Sequence, residues 1–178
     1  MAEETALRRT PLYDRHVAAG ARVVPFAGWE MPVQYQGIIP EHLAVRSAAG
    51  VFDVSHMGQL ELRGPGAHAF GQRMLSNDLE RIEAGHAQYT LLLNEHGSPV
   101  DDLIVYRFGD GHLLLVVNAS RVDDDREWLA AHLPDDVVMD DRSADMAMLA
   151  LQGPTALGLV ELPESLPVPA TPVNRESS

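Results

Sequence analysis

Residues 59–63 (QLELR) alternate polar and apolar positions, the period-two signature of a strand with one face buried. Gly64-Pro65 then opens a helix that carries Phe70, Met74 and Leu75 on one face. Residues 89–93 read as a strand, 94–98 as a turn, 103–108 as a strand, Gly109-Asp110-Gly111 as a tight turn and 113–118 as a further strand. Ser120 stands in N-cap position with Asp123 three residues on, so a capped helix is expected from Arg121 to about His132. Residues 137–139 and 146–151 give two short strands, and Gln152-Gly153-Pro154 begins another helix. The order strand, helix, three-strand meander, helix, strand predicts an α+β fold with mainly antiparallel sheets and flanking helices.

The two ends of the chain are patterned differently. Gly20, Pro25, Gly28, Pro32, Gly37 and Pro40 punctuate the first fifty residues, which predicts turns mixed with short helical stretches. Pro40 followed by Glu41, Leu43, Ala44 and Ala48 reads as a helix with proline in its first turn, ended by Gly50. From Val160 onward, Pro163, Pro167, Pro169 and Pro172 preclude a long helix or a central strand, so residues 160–178 are expected to be a disordered tail.

Composition narrows the function classes. Hydrophobic residues make up 46% of the 178 and charged residues 22%, which suits one ordinary globular domain or two small ones. The net charge of −13 argues against a nucleic-acid or anionic-membrane surface, since both would be repelled. The absence of cysteine excludes disulfides, thiolate catalysis and cysteine zinc sites. None of the eight histidines falls in a zinc-ligand spacing, so no metal is expected. The first residues lack the apolar stretch of a secretory signal, and no apolar run reaches the roughly 18 residues of a membrane span. A soluble, cytoplasmic protein is expected.

The candidate chemistry centres on Asp102. Asp101 and Asp102 are adjacent, but a strand sends neighbours to opposite faces, so they do not form a dyad. Asp102 shares its face with Ile104 and Tyr106. The turn at 109–111 would set Asp102 opposite Asn118 and Tyr106 near Leu114, making a polar cluster of Asp102, Tyr106 and Asn118 on an otherwise apolar hairpin. Such a carboxylate can bind a polar ring or move a proton; equally, it can cap the strand start or bond the neighbouring turn. Asp53, Ser55 and His56 invite comparison with a hydrolase triad, but no nucleophile elbow surrounds Ser55 and the three lie too close in sequence to converge. A site-lining loop or a buried hydrogen-bonded connection is expected there. Trp29 suits a pocket wall or core filling equally well.

The segments RTPLYDRHVAAGARVVPFAGWEMPVQY, EHLAVRSAAGVFDVSHMG, LLNEHGSPVDDLIVYRF, LLVVNASR and LALQGP follow one another between residues 9 and 159. In content and order they resemble the T-protein family of the glycine cleavage system. Related folate domains occur in dimethylglycine- and sarcosine-oxidising enzymes and in an iron–sulfur assembly factor, but the FAGWEMP and FDVSHMG forms favour the T protein. The resemblance implies a tetrahydrofolate-dependent aminomethyltransferase, which takes an aminomethyl group from the lipoyl arm of the H protein, releases ammonia and delivers the one-carbon unit to tetrahydrofolate. It implies Asp102 as the catalytic carboxylate, and Met57, Tyr89, Tyr106 and Asn118 around the pterin and its linker. It also implies a folate-binding first domain begun by residues 1–53, an inserted α+β second domain over 54–142 and a return into the first domain over 143–159.

The sequence departs from the family pattern in three places. Pro25 stands where the family has an acidic residue, and Ser98-Pro99 replaces a glycine-rich turn. Family members also continue past LQGP into an RTGYTGEDG-like motif and a C-terminal domain. The chain is therefore expected to be a truncated N-terminal part that exposes apolar surface where further chain would pack. A non-catalytic folate-binding or regulatory module and a purely structural fragment are the competing expectations.

Overall fold

In the computed structural model, which describes residues 6–160, the chain divides between Met57 and Gly58 and again between Arg142 and Ser143. One unit holds 6–57 and 143–160; the other holds 58–142. The proline-rich stretch from 161 lies outside the described residues.

The first unit begins with β1 (Arg8–Arg9), α1 (Tyr13–Ala18), β2 (Arg22–Phe26), β3 (Trp29–Gln34), α2 (Ile38–Ser47) and β4 (Gly50–Asp53). The expectation of turns and short helices over this stretch is corrected: β2 and β3 form an antiparallel hairpin, with Val24 opposite Met31 and Phe26 opposite Trp29. Ala27 and Gly28 both have positive φ, 48° and 81°, which makes the two-residue turn whose twist matches the flanking strands. Pro25 and Pro32 suggested turns but sit where a sheet tolerates a missing N–H. β2 is an edge strand in the order β1-β3-β2, and β1 pairs only with Trp29 and Glu30 of β3.

α2 carries Pro40 in its first turn as predicted, but ends at Ser47, and Gly50 opens β4 instead of terminating the helix. The Glu41 carboxylate accepts the N–H groups of Tyr35, Gln36 and Gly37 at 2.7, 2.7 and 2.9 Å, tying down the loop that enters the helix.

The second unit contains β5 (Gly58–Arg63), α3 (Ala67–Met74), β6 (His86–Leu93), β7 (Pro99–Gly109), β8 (His112–Val117), α4 (Val122–Ala131) and β9 (Val138–Asp141). Its strands make one antiparallel sheet in the order β6-β7-β8-β5-β9. Leu60, Leu62, Leu103, Val105, Leu113 and Leu115 project from one face and pack with Phe70 and Met74 of α3 and Leu129 of α4. The Trp128 indole N–H bonds the Leu93 carbonyl at 3.1 Å, which anchors α4 at the end of β6. β5 is buried along most of both faces, where the sequence predicted one, because it lies inside the sheet between β8 and β9.

Two helix starts differ from expectation. Arg121, not Ser120, is the N-cap of α4, and no side chain caps it. The Arg121 N–H bonds the Asn118 carbonyl at 2.9 Å, so a turn over 118–121 precedes the helix. Asp123 pairs with Arg126 at 2.8 Å instead of closing a capping box. After Gln152-Gly153-Pro154 the chain makes only a short 3-10 turn, Ala156–Leu159. The strand expected over 146–151 is β10 (Leu149–Gln152), antiparallel to β4 in the first unit. No helix among the described residues is long and apolar enough to cross a membrane.

Candidate active-site face of the second unit

β7 separates its two aspartates. Asp101, Leu103 and Val105 are buried on the face that carries α3 and α4, while Asp102, Ile104, Tyr106 and Phe108 point the other way. The predicted hairpin register holds: Tyr106 stands opposite Leu114, and Ile104 opposite Val116. Two residues further along, the Asn118 side-chain amide reaches Asp102, donating to its Oδ1 at 3.2 Å and to its backbone carbonyl at 3.0 Å. On the other flank Tyr89 of β6, 61% exposed, donates its phenol O–H to Asp102 Oδ2. That hydrogen bond to Asp102 pushes the Tyr89 pKa up, so the phenol is a donor at neutral pH.

The strand register thus brings Asp102, Tyr89 and Asn118 together. Tyr106 shares the face but not the hydrogen-bonded cluster. It lies four residues along β7, about 13 Å at the usual rise of a strand, and its ring stacks on Phe108 with centroids 6.4 Å apart. Met57 belongs to the first unit, where its N–H bonds the Val54 carbonyl at 3.0 Å. The side-chain partners of Asp102 are Tyr89 on β6 and Asn118 just past the end of β8. A carboxylate so held keeps a fixed direction and can take a hydrogen bond or a proton from a nitrogen placed over the face.

Two clusters escaped the sequence reading. Beneath β7, Asp101 accepts the Asn118 backbone N–H at 3.3 Å and its side-chain amide at 2.9 Å. Its carboxyl also neighbours that of Asp125 on α4, which is fully buried. Burial first, and the Asp101 carboxylate second, push Asp125 up to about 8. The available signal was helical spacing: Asp125 shares a stripe with Val122 and Leu129, both packed in or against the core.

In the first unit, His16 Nε2 meets Asp53 at 2.8 Å and Nδ1 meets the Tyr35 hydroxyl at 2.7 Å. Burial works to raise the Asp53 pKa, but hydrogen bonds from His16 and Ser55 outweigh it and bring it down to about 2. Asp53 thus pairs with a histidine 37 residues away, not with His56. Ser55 Oγ bonds the backbone of Met148, accepting its N–H at 3.0 Å, and the His56 ring meets Phe26 edge-on at 5.8 Å. These three residues form no triad; Ser55 makes a buried hydrogen-bonded connection to residue 148. Among the described residues no three histidine, aspartate or glutamate side chains are grouped to hold a metal ion.

Comparison with known proteins decides the family. The model of the GCVT N-terminal domain matches residues 12–165. The chain belongs to this family. An aminomethyltransferase of Chloroherpeton thalassium is 50% identical over 165 residues, covering 92% of this chain and 46% of that protein. One from Desulfitobacterium hafniense is 53% identical over 153 residues, covering 85% of this chain and 42% of that protein. The crystal structure of glycine cleavage system aminomethyltransferase T from Bartonella henselae superposes with a TM-score of 0.80 at 37% identity, over 86% of this chain and 42% of that one. The α+β, mainly antiparallel fold is therefore that of a T protein. The chain spans less than half the length of these relatives.

Proposed function

We propose that this chain is the N-terminal part of an aminomethyltransferase of the glycine cleavage system. In this reading it acts in the cytoplasm on the aminomethyl group carried by the lipoylated H protein. The methylene carbon loses its bonds to sulfur and to ammonia and gains two bonds to nitrogens of tetrahydrofolate. The two protons that those nitrogens lose balance the released thiol and ammonia. Tetrahydrofolate is a substrate here, and no metal takes part.

The observation that carries the proposal is the Asp102 cluster, in a family whose relatives are named aminomethyltransferases. A reduced pterin presents a flat ring with N–H donors. The Asp102 carboxylate supplies a fixed acceptor, with the aromatic surface of Tyr89 beside it and Tyr106 further along the same face. Asp102 is assigned the catalytic role: its charge favours positive charge developing on a substrate nitrogen, and it can accept that nitrogen's proton. Tyr89 and Asn118 hold the carboxylate, and Tyr106 is assigned to the pterin and its linker. Calorimetric titration of the chain and of Asp102→Asn with tetrahydrofolate tests the reading.

A further inference from the structure

Asp101 and Asp102 leave β7 on opposite faces, yet one residue touches both. Asn118 directly follows β8, two residues beyond the last β7–β8 pair, Ile104 with Val116. Its backbone N–H turns to the Asp101 carboxylate and reaches Oδ2 at 3.3 Å, while its side-chain nitrogen reaches Oδ1 at 2.9 Å. The same nitrogen lies 3.0 Å from the Asp102 carbonyl oxygen and 3.2 Å from Asp102 Oδ1. The side-chain nitrogen thus faces three acceptors, and a flipped amide would set its oxygen against three oxygens. Asp101 is buried, so water competes little for its two bonds.

The consequence falls on Asp102. Tyr89 donates to its Oδ2 and Asn118 to its Oδ1, so each oxygen has one protein donor. A displaced Asn118 amide would leave the carboxylate held at one oxygen and free to swing. We propose that Asp101 is a positioning residue for the Asp102 site: it fixes the Asn118 amide, and that amide fixes the carboxylate that faces the substrate. The substrate assignment rests on the folate reading above; the hydrogen bonds do not.

The chemistry at position 101 is specific. Asn118 presents two N–H donors side by side, and each needs an acceptor at one oxygen of residue 101. A carboxylate supplies both. Asp101→Asn keeps the shape but offers one oxygen and one amino group, so whichever way it turns it sets N–H against N–H. Asn118→Ala removes the link between Asp101 and Asp102 altogether.

The test is a double-mutant cycle on the full chain, with Asp101→Asn, Asn118→Ala and the two combined. The first readout is the Asp102 carboxyl carbon resonance near neutral pH without ligand. It is expected to move in either single variant, and to move no further in the double variant than in Asn118→Ala. The second is tetrahydrofolate affinity by calorimetry. Each single variant is expected to weaken it about tenfold, and the double variant by about tenfold as well, because both act through one amide. Additive losses, about a hundredfold in the double variant, overturn the proposal. So does an Asp101→Asn chain that melts earlier but leaves the Asp102 resonance where it was, since Asp101 would then serve stability alone. Should Asp101→Asn fail to fold, the wild-type decides: a through-hydrogen-bond coupling between the Asn118 side-chain nitrogen and the Asp101 carboxyl carbon is expected, and its absence overturns the proposal. A wild-type chain that binds no tetrahydrofolate while the Asp102 resonance follows the cycle defeats the folate reading and leaves the positioning role standing.

Discussion

Asp102 and Asp101 are adjacent, yet one meets a tyrosine on an exposed sheet face and the other a buried carboxyl beneath a helix. The alternation of a strand makes that separation, and it was legible because one strand period and one tight turn suffice to derive it. The Tyr89 contact needed the β6–β7 register as well, and an irregularity between Leu92 and Leu93 shifts that register beyond the 94–98 turn. The pairing of Asp53 with His16 was hidden because 37 residues separate them. Its energetics give a prediction. The Asp53 pKa is held near 2, below its ordinary 3.8, so the stability it contributes is fully present above about pH 4 and is lost as pH falls toward 2. The contribution is roughly 2 kcal/mol, from a carboxyl whose side chain is 1% exposed. Melting temperatures of the wild-type and Asp53→Asn should differ most near neutral pH and converge by about pH 2. A constant difference across that range would show that the hydrogen bonds to Asp53 do not set its ionisation.

Among the elements, the β7–β8 hairpin followed from local pattern, whereas the β2–β3 hairpin did not. Its strands carry Pro25 and Pro32, and proline reads as a breaker unless the strand is known to lie at an edge. The start of α4 was misplaced because Ser120 and Asp123 fit a capping box, but the turn closed by the Asn118 carbonyl shifts the helix by one residue. Gly64, between β5 and α3, was read only as a helix opening. Its φ is 128°, and a Cβ there would lie 2.1 Å from the Asp136 carbonyl oxygen. Backbone strain and a backbone clash act together, so Gly64→Ala should cost at least about 2 kcal/mol. Chemical denaturation checks this; a midpoint equal to the wild-type value would mean that the β5–α3 junction can relax.

Across the whole chain, apolar burial is uneven. Of the described apolar residues that are buried, only Met31 and Ala156 belong to the first unit; the others lie in the second. In the first unit Ile39 is 72% exposed and Val51 64%. Protection against hydrogen exchange requires buried, cooperatively packed backbone, so amides of β5, β7 and β8 should exchange most slowly and those of β2, β3 and β4 much faster. Uniform slow exchange over residues 6–57 would contradict that division. Family membership was legible across this scale because its motifs recur in order along the chain, whereas the roles of single side chains depend on contacts that only the folded chain shows.

The measurement that bears most directly on the central claim is calorimetric titration of the full chain with tetrahydrofolate, alongside Asp102→Asn. Saturable binding by the wild-type, weakened about tenfold or more in the variant, is the predicted result, because the substitution replaces a charged acceptor that faces the ligand with a neutral amide. Equal affinity in the two proteins would contradict the account, because tetrahydrofolate would then bind without contacting the Asp102 carboxylate.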